Sequence, residues 1–217
     1  MKRRTLDVLF SIGGLAIAAL LLVAGIVLSA NASFANTYVH DQLAAQHITF
    51  KTADTLTDEE KQQACLVTYA GQKMTTGKQA ECYANNFIGL HLEGIANGQT
   101  YADLGAPQTA AKNALTAAQK AVPVDQAKVA DLQKQLADVT AQRETVFKGE
   151  TLRGLLLTSY GFSEFGAKAG QAATVAYLGA GLMLLLALAG LVHAYTTPKT
   201  QGFAVPDKAR EPAKTDR

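Results

Sequence analysis

The sequence predicts an all-α membrane protein in which two transmembrane helices bracket an exported helical domain. Two apolar runs without a charged residue carry this prediction: Val8–Ala30, of 23 residues, and Ala172–Val192, of 21 residues. An α-helix rises about 1.5 Å per residue, so either run can cross a hydrocarbon layer of about 30 Å. The polar stretch between the runs is long enough to fold as a domain.

The charges beside the two runs predict the orientation of the chain. Lys2, Arg3 and Arg4 precede the first run, and five basic residues follow the second. Basic flanks are retained on the cytoplasmic side, so we expect both termini in the cytoplasm and the middle outside the plasma membrane. The predicted parts are a cytoplasmic N-terminus at 1–7, transmembrane helices at 8–30 and 172–194, an extracytoplasmic helical domain at 31–171, and a disordered cytoplasmic tail at 195–217.

The N-terminal run also has features of a secretory signal. Ala30-Asn31-Ala32 before Ser33 matches a small-x-small cleavage site, and the basic N-terminus matches the charged region that precedes a signal peptide. The apolar run is, however, much longer than the roughly 7–15 residues of such signals. The length favours an uncleaved anchor, and cleavage after Ala32 stays open.

The exported part carries 12 basic and 14 acidic residues. This mildly acidic balance, without a basic stripe interleaved with aromatic residues, argues against a nucleic-acid partner. The chain has two cysteines, Cys65 and Cys82, and both fall in the exported part. Thiol pairs tend to oxidise outside the cytoplasm, which predicts a disulfide between them. Two unpaired buried thiols are the alternative.

Local signals predict several helices in the exported part. Thr57 and Glu60 form a capping box at the start of a short helix, and the 77–97 segment has one apolar helical face that ends at Asn97-Gly98. Pro107–Ala121 is alanine-rich and helical, and a second helix is expected from Asp125 to about Lys148. Their short connection predicts an antiparallel hairpin, with a break at Gly149.

The segment 150–171 is an apolar stretch jointed by glycines just before the second span. It is expected either to lie in the membrane interface or to extend the span helix. An apolar surface at the membrane edge is costly to leave exposed and is best explained by burial against lipid or another protein. We expect it to form the docking surface for a larger complex. The predicted docking residues are Thr151, Leu152, Leu155, Leu156, Leu157, Tyr160, Phe162 and Phe165.

Small residues four apart in the spans allow helices to approach each other closely. Gly14/Ala18, Gly25/Ser29 and Ala176/Ala180 have this spacing, and they either pack the two spans together or face a partner. Neither apolar run contains an Asp, Glu, Lys or Arg. Since transport and proton relay usually need such groups inside the membrane, a channel or carrier function is disfavoured.

Motifs for catalysis and metal binding are missing from the sequence. It has no His-x-x-x-His, Cys-x-x-Cys, Gly-x-Ser-x-Gly or phosphate-binding glycine loop. His91, on the apolar face of its predicted helix, is interpreted as a hydrogen-bonded packing residue. We therefore expect no enzymatic activity, no cofactor and no metal site.

Three segments of the sequence resemble a family of actinobacterial two-span membrane proteins. They are Arg3–Leu9, Tyr69–Ala80 and Gly149–Leu157, while Pro107–Asp138 looks like an insertion. The family includes an accessory subunit of the cytochrome bcc–aa3 respiratory supercomplex, its association factor. Some relatives are labelled aromatic ring-opening dioxygenases, a label that no iron-binding pattern in this sequence supports.

The predicted function is that of a non-catalytic accessory or assembly protein on a larger membrane complex. The resemblance implies that this complex is the cytochrome bcc–aa3 supercomplex. The apolar spans themselves imply membrane lipid as the other partner. The alternative is an extracytoplasmic module that senses a ligand or binds an envelope component.

Overall fold

The structure, a computed structural model, describes residues 3–198. This part of the chain contains no strand, so the all-α prediction is confirmed. The predicted tail from 199 onward, together with Lys2, lies outside the described residues. The helices are α1 (Arg3–Ala45), α2 (Asp58–Lys61), α3 (Ala64–Thr68), α4 (Gly77–Cys82), a π-helical segment (Tyr83–Ile88), α5 (Gly89–Ala96), α6 (Gly105–Lys120) and α7 (Gln126–Thr196).

Helices α1 and α7 are both long and apolar enough to cross a membrane. The predicted break at Gly149 is wrong, because α7 continues through that residue without interruption. A single glycine costs a helix only about 1 kcal/mol. Gly149 instead makes room for the side chain of Leu92, and Gly166 makes room for Ala35. Segment 150–171 therefore belongs to the same helix as the second apolar run.

Residue contacts divide the described chain into two compact units, one of which combines 3–31 with 168–198. Small residues form the contact between the two helices of this unit. A Cβ at Gly14 would lie 3.2 Å from that of Ala187, and Gly25 lies against the ring of Tyr177. The large apolar side chains, such as Phe10, point outward. The small residues of the spans thus pack the spans on each other.

The second unit, Ala32–Ala167, has its main core around the segment from Ile48 to Leu92. Leu66 and Met74 are almost completely buried in it. Capping boxes begin two of its helices, with Thr57 and Glu60 at α2, as predicted, and Thr76 and Gln79 at α4. Each box satisfies two backbone donors at a helix start.

The predicted hairpin is present and consists of α6 and the first part of α7. Gln108 of α6 donates a hydrogen bond to Thr140 of α7 at 2.9 Å. Arg143, which interrupts the apolar pattern of α7, donates to Gln108 and to the carbonyl of Tyr101, and its guanidinium lies 4.0 Å from the centre of the Tyr101 ring. This residue therefore fixes the base of the hairpin.

Candidate docking groove

The predicted docking residues of α7 lie on two different sides of the helix. The inner face, defined as Leu156, Leu157 and Tyr160, packs toward the rest of the unit. Leu156 is only 3% exposed and belongs to the main core. The outer face consists of Thr151, Leu152, Leu155, Phe162 and Phe165. Leu155 is 63% exposed and Phe165 is 76% exposed, so this face is open.

A groove of about 400 Å³ runs between the outer face and the last turns of α1. Leu152, Leu155 and Phe162 of the outer face line one side of it, together with Leu156, Thr158 and Ser159. The other side is lined by Tyr38, Val39, Gln42, Leu43, Gln46 and Ile48. Every residue on the α7 side and the α1 side is uncharged, and the polar groups are amides and hydroxyls. Such a lining is complementary to a binding partner whose own surface is uncharged and largely apolar.

Three aromatic rings, Phe34, Tyr38 and Phe162, meet beside the groove, and the last two also line it. Phe34 stacks on Tyr38 with ring centres 5.7 Å apart, and the edge of Phe162 meets both rings at about 6 Å. Offset and edge-to-face arrangements of this kind are favourable beyond the apolar area they bury. Phe34 is nevertheless mostly exposed. This aromatic cluster holds α1 against α7 and leaves apolar ring surface open.

Lys78 connects the inner face to the start of α4. Its ammonium donates to the hydroxyl of Tyr160 at 3.1 Å and forms ion pairs with Glu164 at 3.3 Å and Glu81 at 3.4 Å. The hydrogen bond to Tyr160, together with these carboxylates, raises the pKa of Lys78. The helix start approaches α7 so closely that a Cβ at Gly77 would collide with Ser163.

Glu60 is a buried carboxylate that anchors the loop before α2. Lys51 donates to it at 2.8 Å, the backbone N–H of Thr57 also at 2.8 Å, and His91 lies 3.6 Å away. Burial, the largest influence, favours the neutral acid, but these hydrogen bonds and positive charges outweigh it and lower the pKa of Glu60. His91 itself donates through Nδ1 to the carbonyl of Phe87 and is half exposed.

The predicted disulfide is confirmed. Cys65 of α3 and Cys82 of α4 are bonded, with their Cα atoms 6.0 Å apart. The bond joins two short helices that both pack on the main core. Neither helix is long enough to be stable alone. The disulfide therefore stabilises the two short helices near the inner face of α7.

Of the predicted docking residues, Leu152, Leu155, Leu156 and Phe162 line the groove, and no prediction from the sequence covered its α1 side. Tyr38, Gln42 and Gln46 recur every four residues past the first apolar run, a pattern that could have indicated a continuing helical face. Among residues 3–198, no group of three or more His, Cys, Asp or Glu side chains is arranged to hold a metal ion. No family model, curated protein or solved structure matches the chain.

Proposed function

We propose that the protein is a non-catalytic accessory or assembly protein that docks on a larger membrane complex through the outer face of α7 and the groove beside it. The observation that carries the proposal is the exposure of Leu155 and Phe165 beside an uncharged apolar groove. Contiguous apolar surface of this kind is costly in water and marks interaction sites in soluble regions.

The position of the groove along α1 favours a protein occupant over lipid. Tyr38 follows Ala30, the last residue of the first apolar run, by about two helical turns, or roughly 12 Å of helix. The headgroup layer adds only about 5–8 Å to each side of the hydrocarbon. This sequence distance from the apolar run supports a protein occupant for a groove lined by residues from Tyr38 to Gln46.

The proposed topology has both termini in the cytoplasm and the groove outside the plasma membrane. The basic flanks support it, as does the disulfide, which forms readily in an oxidising compartment. Single cysteines at Ser33, Asn113 and Thr200, each in a chain lacking the native pair, test it. A membrane-impermeant thiol reagent added to intact cells should label Asn113→Cys and spare Thr200→Cys; the reverse pattern, or a mature chain that begins at Ser33, would contradict it.

The candidate complex is the cytochrome bcc–aa3 supercomplex. This choice rests on the resemblance of three segments to its association factor, namely Arg3–Leu9, Tyr69–Ala80 and Gly149–Leu157. Deletion of the gene should reduce the amount of intact supercomplex and its oxidase activity. Unchanged supercomplex size and activity would remove this candidate and leave the docking proposal to be tested with other complexes. If the purified wild type also remains alone in mild detergent, the alternative of a ligand-sensing or envelope-binding module moves ahead.

Co-purification of matched variants tests docking directly. Leu155→Ser/Phe165→Ser removes apolar surface from the outer face, and Val122→Ser/Val124→Ser removes it from the exposed tip of the hairpin. After extraction in mild detergent, the wild type and the tip variant should elute with a larger complex, and the outer-face variant should elute alone. A wild type that elutes alone, or an outer-face variant that keeps its partner, would contradict the proposal.

A polar replacement of Leu155, Leu156 and Leu157 together would not be a fair test. Leu156 lies in the main core and Leu157 packs against it. The triple variant would lose stability whatever the outer face does, because removing a buried leucine side chain costs about 2–5 kcal/mol.

A further inference from the structure

We propose that a second, polar pocket in the Ala32–Ala167 unit binds a free amino acid with an aliphatic side chain. The pocket has a volume of about 330 Å³ and shares no lining residue with the docking groove. It lies where the π-helical segment and α5 face α7, and this volume is within the usual range for small-molecule sites. The site goes beyond the docking function, and either one can fail without the other.

Three charged side chains line the pocket without neutralising one another. Arg153 donates through Nε and Nη2 to the side-chain oxygen of Asn85, at 3.4 and 3.1 Å. In the part of the chain that the structure describes, no carboxylate lies within 4 Å of its guanidinium nitrogens, and no ammonium or guanidinium lies within 4 Å of Glu93 or Glu150. The cavity therefore has a positively charged side and a negatively charged side, and both can bind a ligand.

A zwitterion satisfies both sides at once. Arginine presents a planar fork of N–H groups that suits a carboxylate, and the bonds to Asn85 leave N–H groups of this fork available. The carboxylates of Glu93 and Glu150 can accept an ammonium group. Glu150 is held in place because one of its oxygens accepts a hydrogen bond from the backbone N–H of Tyr101 at 3.2 Å.

The π-helical segment supplies amide groups to the same pocket. Asn85 and Asn86 are consecutive residues of this segment, and both line the cavity. Asn86 donates a hydrogen bond to the side-chain oxygen of Gln63 at 2.6 Å, which fixes the orientation of the Asn86 and Gln63 amides. Single π-helical turns within α-helices are rare and occur frequently at functional sites.

Part of the pocket wall is apolar and would select the ligand's side chain, beside Gln99 and Thr100, which also line the cavity. Leu90, Leu92 and Val146 contribute this wall, and Val146 is almost fully buried. An aliphatic side chain placed against them would leave water, whereas a polar one would lose hydrogen bonds there. L-Leucine is therefore a suitable probe.

Three probes separate the two charges of leucine while keeping its side chain. They are L-leucine, 4-methylpentanoate, which lacks the amino group, and 3-methylbutylamine, which lacks the carboxylate. We expect the full-length protein in lipid nanodiscs to bind leucine saturably at neutral pH, measured by calorimetry or ligand-observed NMR. Each single-charge probe should bind at least about tenfold more weakly, because hydrogen bonds to charged groups contribute strongly to affinity.

Charge-removing variants then assign each side of the pocket. Arg153→Gln should weaken leucine binding about tenfold or more and leave 3-methylbutylamine unaffected, and Glu93→Gln should weaken leucine and 3-methylbutylamine but not 4-methylpentanoate. Lys134→Gln and Asp131→Asn, on the exposed hairpin, are the matched controls and should change nothing. Because Glu93 is exposed, its variant keeps the test decisive even if Arg153→Gln misfolds.

Three results would overturn the proposal. One is the absence of saturable leucine binding up to about 10 mM. Another is equal binding of all three probes, which would show that the two charges are not recognised together. The third is a leucine affinity that Glu93→Gln and a folded Arg153→Gln both leave unchanged. None of these results bears on co-purification with a membrane complex, so the docking proposal is judged separately.

Discussion

The inner and outer faces of one stretch of α7 have similar apolar residues and opposite surroundings. Leu156, on the inner face, is buried in the main core, whereas its neighbour Leu155, on the outer face, is 63% exposed. The inner face is held by the disulfide-linked helices and by the contacts of Lys78. On the outer face, Phe34 and Tyr38 contact Phe162, whereas Leu155 and Phe165 stay mostly exposed. The difference separates residues that maintain the fold from residues that are available to a partner.

The variants Leu156→Ala and Leu155→Ala should differ most in stability, because only the first removes a buried side chain. The inner-face change leaves a cavity and should destabilise the protein by about 2–5 kcal/mol, which lowers the midpoint of thermal unfolding by on the order of 10 °C. The outer-face change should cost no more than about 0.5 kcal/mol. Circular dichroism of both variants in nanodiscs measures the midpoints, and similar decreases would show that the two faces are equally packed.

Removal of the disulfide should weaken the support of the inner face without touching the outer face. Cys65→Ala/Cys82→Ala opens a loop of about 18 residues, and the chain-entropy model gives a cost of roughly 3 kcal/mol. The thermal midpoint should fall while the folded variant still co-purifies with its partner. Mass spectrometry of wild-type protein alkylated without reductant should find neither thiol modified; alkylation of both would contradict the bonded state.

Glu60→Gln should have a smaller effect that depends on pH. The change removes the charge from hydrogen bonds to Lys51 and Thr57 and should cost about 1–3 kcal/mol at neutral pH. Since folding lowers the pKa of Glu60, its stabilising effect is complete above the ordinary value of 4.5 and is lost as the pH falls below it.

The matched control for this prediction is Glu59→Gln, an exposed neighbour in the same helix. Unfolding midpoints of the two variants and the wild type should be compared between neutral pH and about pH 3. The difference in unfolding midpoint between the wild type and Glu60→Gln should become smaller as the pH falls below the ordinary pKa of the carboxyl group. A gap that stays constant, or one that Glu59→Gln reproduces, would show that the Glu60 carboxylate has no special role.

Local patterns in the sequence were enough to predict much of the fold. The long uncharged runs, the cysteine pair, the Thr57 capping box and the alanine-rich hairpin each rest on neighbouring residues, and the structure contains all of them. These features depend on spacing along one helix or on composition. They can be predicted without knowing which helices pack against each other.

Features that depend on distant residues were not predictable in this way. Gly149 was expected to end a helix, and its actual role is to admit Leu92, which comes from a different helix. The groove has two sides, and the side from α1 was missed because its residues are unremarkable until they face Leu152 and Leu155. The division of 151–165 into inner and outer faces likewise depends on where the core lies.

Photo-crosslinking in native membranes would show whether the outer face of α7 contacts a protein partner. A photoreactive residue at Leu155 or Phe165 should form an adduct with a protein of one defined size, and the same residue at Val122, on the exposed hairpin tip, should not. These positions are exposed, so the substitution should leave the fold intact. Adducts with lipid alone at Leu155 and Phe165, no adducts there, or the same protein adduct from Val122 would contradict docking of the outer face on a protein.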